Sequence, residues 1–369
     1  MSEPFNYSEW NYKRYLRDQQ ELQAYLDALP GTLADRVIAL HDQQLDIGFI
    51  RDKLESVHRT NLVNPNGEES FIAQYNPKRA LRFAGYGRKD PPNGVVPING
   101  GCFLCAENIY WQQFGLEMGY RFAVNGRDYI AWCNPFPFMQ RHVTIASATH
   151  EPQTWIGEDD LNRERAHRLI DDQLAIAEQM PNFVIFYNGD GAGASIKGHR
   201  HYHGFLRSFG QEPFPLEKSA IAQLNSGEPP FEVHSYPITS IYCQDDKSVI
   251  CDQAVNFIDD WTETCGSSKH LSANVIASTE LKPRTTEVDY HKLFFTPRNT
   301  YYSTASGRSE TIAGLEVLGE IAFSQEEEYR RLIAGQIDYQ YVRQMLRSVE
   351  APEAHALLAR KRGRLHLRS

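Results

Sequence analysis

No stretch of this 369-residue chain is apolar for long enough to span a membrane, and no signal-peptide pattern opens it. There is no excess of positive charge either. Lys and Arg number 38 against 47 Asp and Glu, and the net charge of −9 argues against a surface that coats nucleic acid. Cysteine is sparse, with six residues. An extracellular disulfide framework is therefore the weaker reading; a reducing cytosol, with Cys133, Cys243, Cys251 and Cys265 as mostly buried free thiols, is the stronger. No strict internal repeat is visible, and there is only one Cys-x-x-Cys. What remains is an ordinary globular composition, 41% hydrophobic and 23% charged, long enough for a large core or for two comparable halves.

Against this background residues 188–203 stand out: Asn-Gly-Asp-Gly-Ala-Gly-Ala-Ser-Ile-Lys-Gly-His-Arg-His-Tyr-His. A glycine-rich loop able to aim backbone N–H groups at an anion runs into His199, His201 and His203. On an extended strand alternate side chains share a face, so the three imidazoles line one surface. That suits a nucleophilic histidine attacking phosphorus; a surface histidine cluster or an incidental metal patch is the plainer alternative.

Cys102 and Cys105 form the Cys-x-x-Cys, inside Gly-Gly-Cys-Phe-Leu-Cys-Ala-Glu. Two thiolates at this spacing can share one metal, and zinc then needs two further ligands for a tetrahedron. The turn-rich approach fits a zinc knuckle better than a redox pair, which would normally follow a strand and open a helix. With no second Cys-x-x-Cys the missing ligands should be histidines, and His142 and His199 are the candidates.

Taken in order, these motifs resemble the galactose-1-phosphate uridylyltransferase branch of the histidine-triad superfamily, which also holds diadenosine tetraphosphate phosphorylases and GDP-hexose phosphorylases. The resemblance is carried by Cys102/Cys105, by Asn134-Pro-Phe-Pro-Phe with His142, and by Asn188, Gly193-Ala-Ser195 and His199-Arg-His201-Tyr-His203. Cys102 to Asn108, Gln74-Tyr-Asn-Pro-Lys-Arg79 and Phe295-Thr-Pro-Arg298 look like a set of bacterial phosphorylase-like proteins within that branch. It spans roughly residues 70–335.

The resemblance implies an α+β fold, with a histidine-triad-like antiparallel sheet, a duplicated core and a helical N-terminal extension. It implies His201 as the nucleophile that takes a nucleotidyl group, with His203 and Ser195 beside it in the chemistry. It implies a structural zinc on Cys102, Cys105, His142 and His199. Asn188 and Ser195 would hydrogen-bond phosphates within a loop containing Gly189, Gly191 and Gly193, and Asn76 and Arg79 would lie near the nucleotide. Lys197 is a candidate to balance the leaving phosphate, with an ordinary exposed lysine the equal alternative. Two departures stand out: His203 occupies a position where the transferases carry Gln, which reopens hydrolysis, and Arg200 replaces a proline or apolar residue.

The chemistry also follows from the side chains. A neutral imidazole is a usable nucleophile near pH 7, and splitting one displacement into two is the gain of covalent catalysis. The expected substrate is a nucleotide-sugar or dinucleoside polyphosphate, with phosphate, a sugar phosphate or water as acceptor. A zinc-stabilised nucleotide-binding protein without turnover is the alternative of another class. No nucleic acid and no membrane partner is expected. Relatives commonly form homodimers in which one subunit completes the other's site; the sequence leaves the oligomeric state open.

Hydrophobic periodicity predicts helices over 9–29, 34–58, 160–179 and 252–264. Strands are expected at 71–75, 120–124, 129–132, 143–146, 183–187, 238–243, 273–278 and 292–296, with turns over 60–70 and 86–101. The domain reading is a helical extension over 1–69, a catalytic half over 70–215 and a degenerate half over 216–369 with a basic tail. Glu316 and Glu320 are expected on a helix face or sheet edge, with substrate or a second metal as the alternative. Lys78, Arg79, Arg82 and Arg88 form one local concentration of basic charge, as fitting for a solvated turn as for an anion.

Overall fold

The computed structural model describes residues 7–67, 69–84, 90–157, 159, 161–208, 210–224, 227–265, 271–299 and 311–354, without the side chains of 82–84. The Arg82 side chain, Arg88 and the basic tail lie outside what is described. The helices are α1 (Glu9–Ala28), α2 (Leu33–Asp46), α3 (Ala106–Gln112), α4 (Asn162–Gln179) and α5 (Pro215–Leu224). They continue with α6 (Lys247–Cys265), α7 (Gly314–Leu318), α8 (Glu326–Ile333) and α9 (Tyr339–Arg347). The strands are β1 (His58–Val63), β2 (Ser70–Tyr75), β3 (Gly119–Val124), β4 (Arg127–Cys133), β5 (Val143–Ser147) and β6 (Phe183–Asn188). They continue with β7 (His201–Leu206), β8 (Phe231–Glu232), β9 (Ile241–Asp245), β10 (Ser272–Leu281), β11 (Val288–Arg298) and β12 (Glu320–Phe323).

The chain forms two compact units, each built from several stretches. The first comprises residues 1–56, 78–153 and 196–206. Its sheet is antiparallel in the order β3-β4-β5-β7. α1 runs along β3, and α2 contacts β3 and β4. α1 starts where Ser8 accepts a hydrogen bond from the Asn11 N–H, a side-chain N-cap that satisfies one of the orphan donors of the first turn. α2 stops at Asp46 rather than running to 58, because Gly48 adopts a left-handed conformation (φ 78°) that closes the helix.

The second unit comprises residues 57–77, 154–195 and 207–369. Its larger sheet is antiparallel in the order β6-β10-β11-β9-β8. Helices α4 and α6 pack on each other and on this sheet. Phe257 and Trp261, one helical turn apart on α6, both meet the Phe295 ring edge-on. A smaller sheet, β1-β2-β12, pairs β12 parallel to β2 and β1 antiparallel to it. Residues 58–63, expected partly as turn, are therefore strand. Their polar, exposed side chains hide the alternation that marks a half-buried strand. Glu320 bonds Arg59 and Gln74, and Glu316 caps the start of α7 through the Ala313 N–H, so both carboxylates are committed to structure. Among the described residues no helix is long and apolar enough to cross a membrane.

Candidate functional site

The first unit gathers Cys102, Cys105, His142, His150, His199, His201 and His203. In the β5–β7 ladder Ala146 faces His201 and Thr144 faces His203, so His201 and His203 share one face, while His199 precedes the strand. Arg200 points to the other face; it is buried, and its guanidinium lies 3.1 Å from Glu151.

The cysteine knuckle is built by its glycines. Asn99, Gly100 and Gly101 are all left-handed (φ 47°, 64° and 78°), a run that Asn-Gly-Gly adopts at little cost. Asn108 ties the turn together, donating to the Ile98 and Cys102 carbonyls at 3.0 Å and accepting from the Ile98 N–H. Leu104 and Ile109 anchor the knuckle on Ile130, Trp132 and Ala146 of the sheet. The Cys105 sulfur receives an Asn99 side-chain N–H at 3.3 Å, and burial pushes its thiol up to about 11.

The ligating atoms of Cys102, Cys105, His150 and His199 all lie within 4.8 Å of one another. His199 Nδ1 is 3.4 Å from Cys102 Sγ and 3.6 Å from Cys105 Sγ, and His150 Nδ1 is 3.3 Å from Cys105 Sγ. A zinc tetrahedron with bonds of about 2.1–2.3 Å has edges of about 3.5 Å, so these spacings fit one ion. His199 Nε2 donates to the Ser147 carbonyl at 2.7 Å, which fixes the tautomer that leaves the Nδ1 lone pair facing the sulfurs. The four residues can hold a metal.

His142 takes no part in this cluster. The register that puts Val143 opposite Gly204 carries His142 towards position 205, whereas His199 lies at the other end of the strand. That is about 20 Å of extended chain. His150 follows β5 at the end near His199 and takes the fourth place. Its position just past the strand that pairs with the histidine strand was the available signal. His142 Nε2 instead lies 3.2 Å from His203 Nδ1.

His201 is almost fully buried. Its Nδ1 lies 2.8 Å from the His199 carbonyl, which can only accept, so the proton is on Nδ1 and the lone pair on Nε2. Burial lowers its pKa to about 4, keeping the ring neutral. Gln153 holds the backbone around it: its amide donates to the His201 carbonyl at 2.9 Å and accepts the His201 N–H at 2.7 Å. Sequence reading passes over Gln153, because a glutamine after a loop carries no motif. The His203 ring lies 5.1 Å from the His201 ring. Arg79 is buried, donates to the Phe136 carbonyl at 2.9 Å and stacks over Phe138, whose ring lies 3.9 Å from that of His142.

In the second unit, the side-chain oxygen of Asn188 accepts from Asn274 (2.7 Å) and from the Gly314 N–H (2.9 Å). Asn274 also donates to the Ala192 carbonyl and accepts from the buried Arg298, so the glycine loop is tied down from behind. Gly191 and Gly193 are left-handed. A Cβ on Gly189 would fall 2.2 Å from Ser272 Oγ, and one on Gly193 2.6 Å from the Ile312 carbonyl. Packing therefore demands Gly193 whatever the loop binds, whereas at Gly189 the Ser272 side chain would have to move. Ser195 is exposed here and Lys197, in the first unit, is exposed as well; Asn76 is fully buried, its N–H donated to the Phe323 carbonyl.

Comparison with known proteins agrees with this picture at the level of fold. A family model described as a domain of unknown function (DUF4922) matches residues 40–205. Galactose-1-phosphate uridylyltransferase of Lactococcus lactis subsp. cremoris (strain SK11) is 25% identical over 130 residues, 33% of this chain. The match spans only 23% of that relative's length, and the same holds for the enzyme of Lactococcus lactis subsp. lactis (strain IL1403). Among solved structures, yeast Ap4A phosphorylase Apa2 in complex with AMP superposes with a TM-score of 0.57 at 13% identity, over 88% of this chain and 98% of that one. The chain thus has the α+β fold of an Ap4A phosphorylase, the histidine-triad-like fold that the motifs imply.

Proposed function

We propose that this protein is a nucleotidyltransferase of the phosphorylase kind, cleaving a nucleotide-sugar or a dinucleoside polyphosphate at its α-phosphate through His201. The observation that carries the reading is the His201 tautomer: a buried neutral ring whose Nδ1–H is donated to a carbonyl and whose Nε2 lone pair is left for attack. In the first step Nε2 bonds to the α-phosphorus, and the bond from phosphorus to the bridging oxygen breaks. That oxygen leaves with its electron pair as a sugar phosphate or nucleotide. The Nδ1–H bond to the His199 carbonyl stabilises the positive charge that develops on the ring. In the second step an oxygen of inorganic phosphate attacks the same phosphorus and returns the pair to Nε2. The fold of an Ap4A phosphorylase and the partial match to a uridylyltransferase support this class.

Asn188, Ser195 and the backbone N–H groups of Gly189, Gly191 and Gly193 are proposed phosphate contacts, with Asn76 and Arg79 towards the nucleotide. Zinc on Cys102, Cys105, His150 and His199 would cross-link the knuckle to the strand that presents His201, a structural part rather than a chemical one. Hydrolysis through the same intermediate is the second reading, favoured by the His142–His203 pair beside the nucleophile.

The deciding experiment is the intact mass of the protein after brief mixing with UDP-, GDP-, ADP- and CDP-sugars and with diadenosine tetraphosphate, quenched at neutral or alkaline pH because phosphoramidates are lost in acid. The expected result is one added nucleoside monophosphate that disappears in His201→Ala. Neither adduct nor turnover with any of them, in protein that binds nucleotide, would sink the proposal in favour of a binding protein. Turnover that does not depend on added phosphate would select hydrolysis.

A further inference from the structure

The Phe295-Thr-Pro-Arg298 segment ends β11 in the second unit, and its arginine is 2% exposed. Every acceptor that this guanidinium meets is neutral. Nε donates to the Val349 carbonyl at 3.2 Å, and Nη1 donates to the Asn274 side-chain oxygen and, at 3.1 Å, to the Ile312 carbonyl. Nη2 is buried with no partner. Among the described residues no carboxylate stands within ion-pair distance of it. A buried charge is costly unless an opposite charge answers it. Burial accordingly pushes the Arg298 pKa down to about 9; the charge of Glu316 acts the other way, but that carboxylate already accepts the Ala313 N–H.

The glycine loop lies directly in front of Arg298. The Ile312 carbonyl that Arg298 holds is the atom nearest a Cβ built on Gly193, and the Asn274 amide that it holds donates to the Ala192 carbonyl at 2.8 Å. The guanidinium thus stands one carbonyl behind Gly193 and one amide behind Ala192. Gly191 and Gly193 are left-handed, and among the described residues the N–H groups of Gly191, Gly193 and Ala194 meet no acceptor. Backbone N–H groups gathered in such a turn form an anion-binding concavity. The amide chain also has only one possible direction. A guanidinium can only donate, so it meets the Asn274 oxygen. The Asn274 nitrogen then gives one hydrogen to Ala192 and the other to the Asn188 oxygen at 2.7 Å, which also accepts the Gly314 N–H. The donor end of the chain is therefore the Asn188 amide nitrogen.

We propose that Arg298 is the charge behind the glycine loop. It is a positioning residue: its guanidinium, answered by no carboxylate within reach, draws a substrate phosphate group to the N–H groups of residues 191–194 and, through Asn274, sets the donor end of Asn188. The inference rests on the reading of this loop as the phosphate site and supplies the source of its positive charge, in a chain whose net charge is −9.

Two variants separate charge from geometry: Arg298→Gln keeps a donor and loses the charge, and Arg298→Lys keeps the charge and loses the fork. Inorganic pyrophosphate is titrated into the full chain by calorimetry, with the melting temperature of each variant recorded beside it. Arg298→Gln is expected to weaken pyrophosphate binding by about tenfold or more, and Arg298→Lys to stay within about threefold of the parent. Equal weakening in both variants, or none in either, would overturn the role assigned to the charge. If Arg298→Gln does not fold, Arg298→Lys decides alone: affinity near that of the parent supports the proposal, and a loss of about tenfold sinks it. Ser195→Ala keeps the two readings apart. Binding weakened by Ser195→Ala but untouched by Arg298→Gln removes Arg298 and leaves the loop as the phosphate site. A parent chain that takes up no pyrophosphate at millimolar concentration removes both.

Discussion

The tautomer and position of His201 are set by two neighbours. The His199 carbonyl decides which ring nitrogen keeps the proton, and Gln153 holds both backbone polar groups of the residue that bears the ring. Gln153→Ala leaves two backbone groups without partners in the interior, at a cost of about 1–3 kcal/mol each unless water enters. The expected outcome is a folded protein with a lower melting temperature and a kcat reduced by at least tenfold, KM changing less. An unchanged kcat would reduce Gln153 to a structural prop. The metal cluster separates two histidines that look alike in sequence. His150→Ala is expected to lower zinc content and melting temperature, while His142→Ala keeps the zinc; equal retention in both variants would count against the cluster as a metal site. His150 was only partly legible: it follows β5, but its role depends on where β5 ends relative to β7, a register the sequence does not state.

At the scale of elements, the recurrent device is a glutamine amide standing in for a missing strand. On α1, Gln19 exchanges two hydrogen bonds with the backbone of Gly119, and Gln23 does the same with Arg121. Four helical residues rise about 6 Å and two strand residues about 6.8 Å, so the two repeats stay nearly in step over this distance. Tyr15 extends the row to the Glu117 carbonyl. The edge of β3 is thereby protected. Replacing Gln19 and Gln23 together by Ala should cost about 2–4 kcal/mol at roughly 1 kcal/mol per hydrogen bond, read from urea midpoints at constant m. No effect would mean that water replaces the amides without loss. Periodicity alone locates α1 and β3, since amphipathic spacing is local. It says nothing of the glutamines, whose polar character reads as solvent-facing until a partner strand is placed beside them.

Over the whole molecule, burial sets the response to acid. His41, His199, His201 and His291 are all buried, and burial lowers the pKa of each, that of His41 and His201 to about 4. His41 also faces Arg141, which adds to the shift. The unfolded chain protonates such histidines as pH falls through about 6.5 while the folded chain does not, so stability declines with falling pH. Each group contributes a slope approaching about 1.4 kcal/mol per pH unit between its two pKa values. Burial also raises the Glu117 pKa well above its usual 4.5, and above that pH this carboxyl acts in the opposite sense, offsetting part of the histidine slope. Urea unfolding should therefore show a clear loss of stability from pH 7 to pH 5, and His41→Asn should flatten it; a flat profile in the parent protein would contradict the burial. By itself the sequence determined many of the elements, the two-cysteine knuckle and the strand that carries His201 and His203 on one face, because these rest on local spacing and backbone geometry; the α+β class came from the resemblance of the motifs. Only the tertiary structure decided that His150 rather than His142 stands with the cysteines, that Gln153 holds the His201 backbone, and that Gly193 is required by packing. Those outcomes depend on strand register and on atoms distant in sequence, which no local pattern encodes.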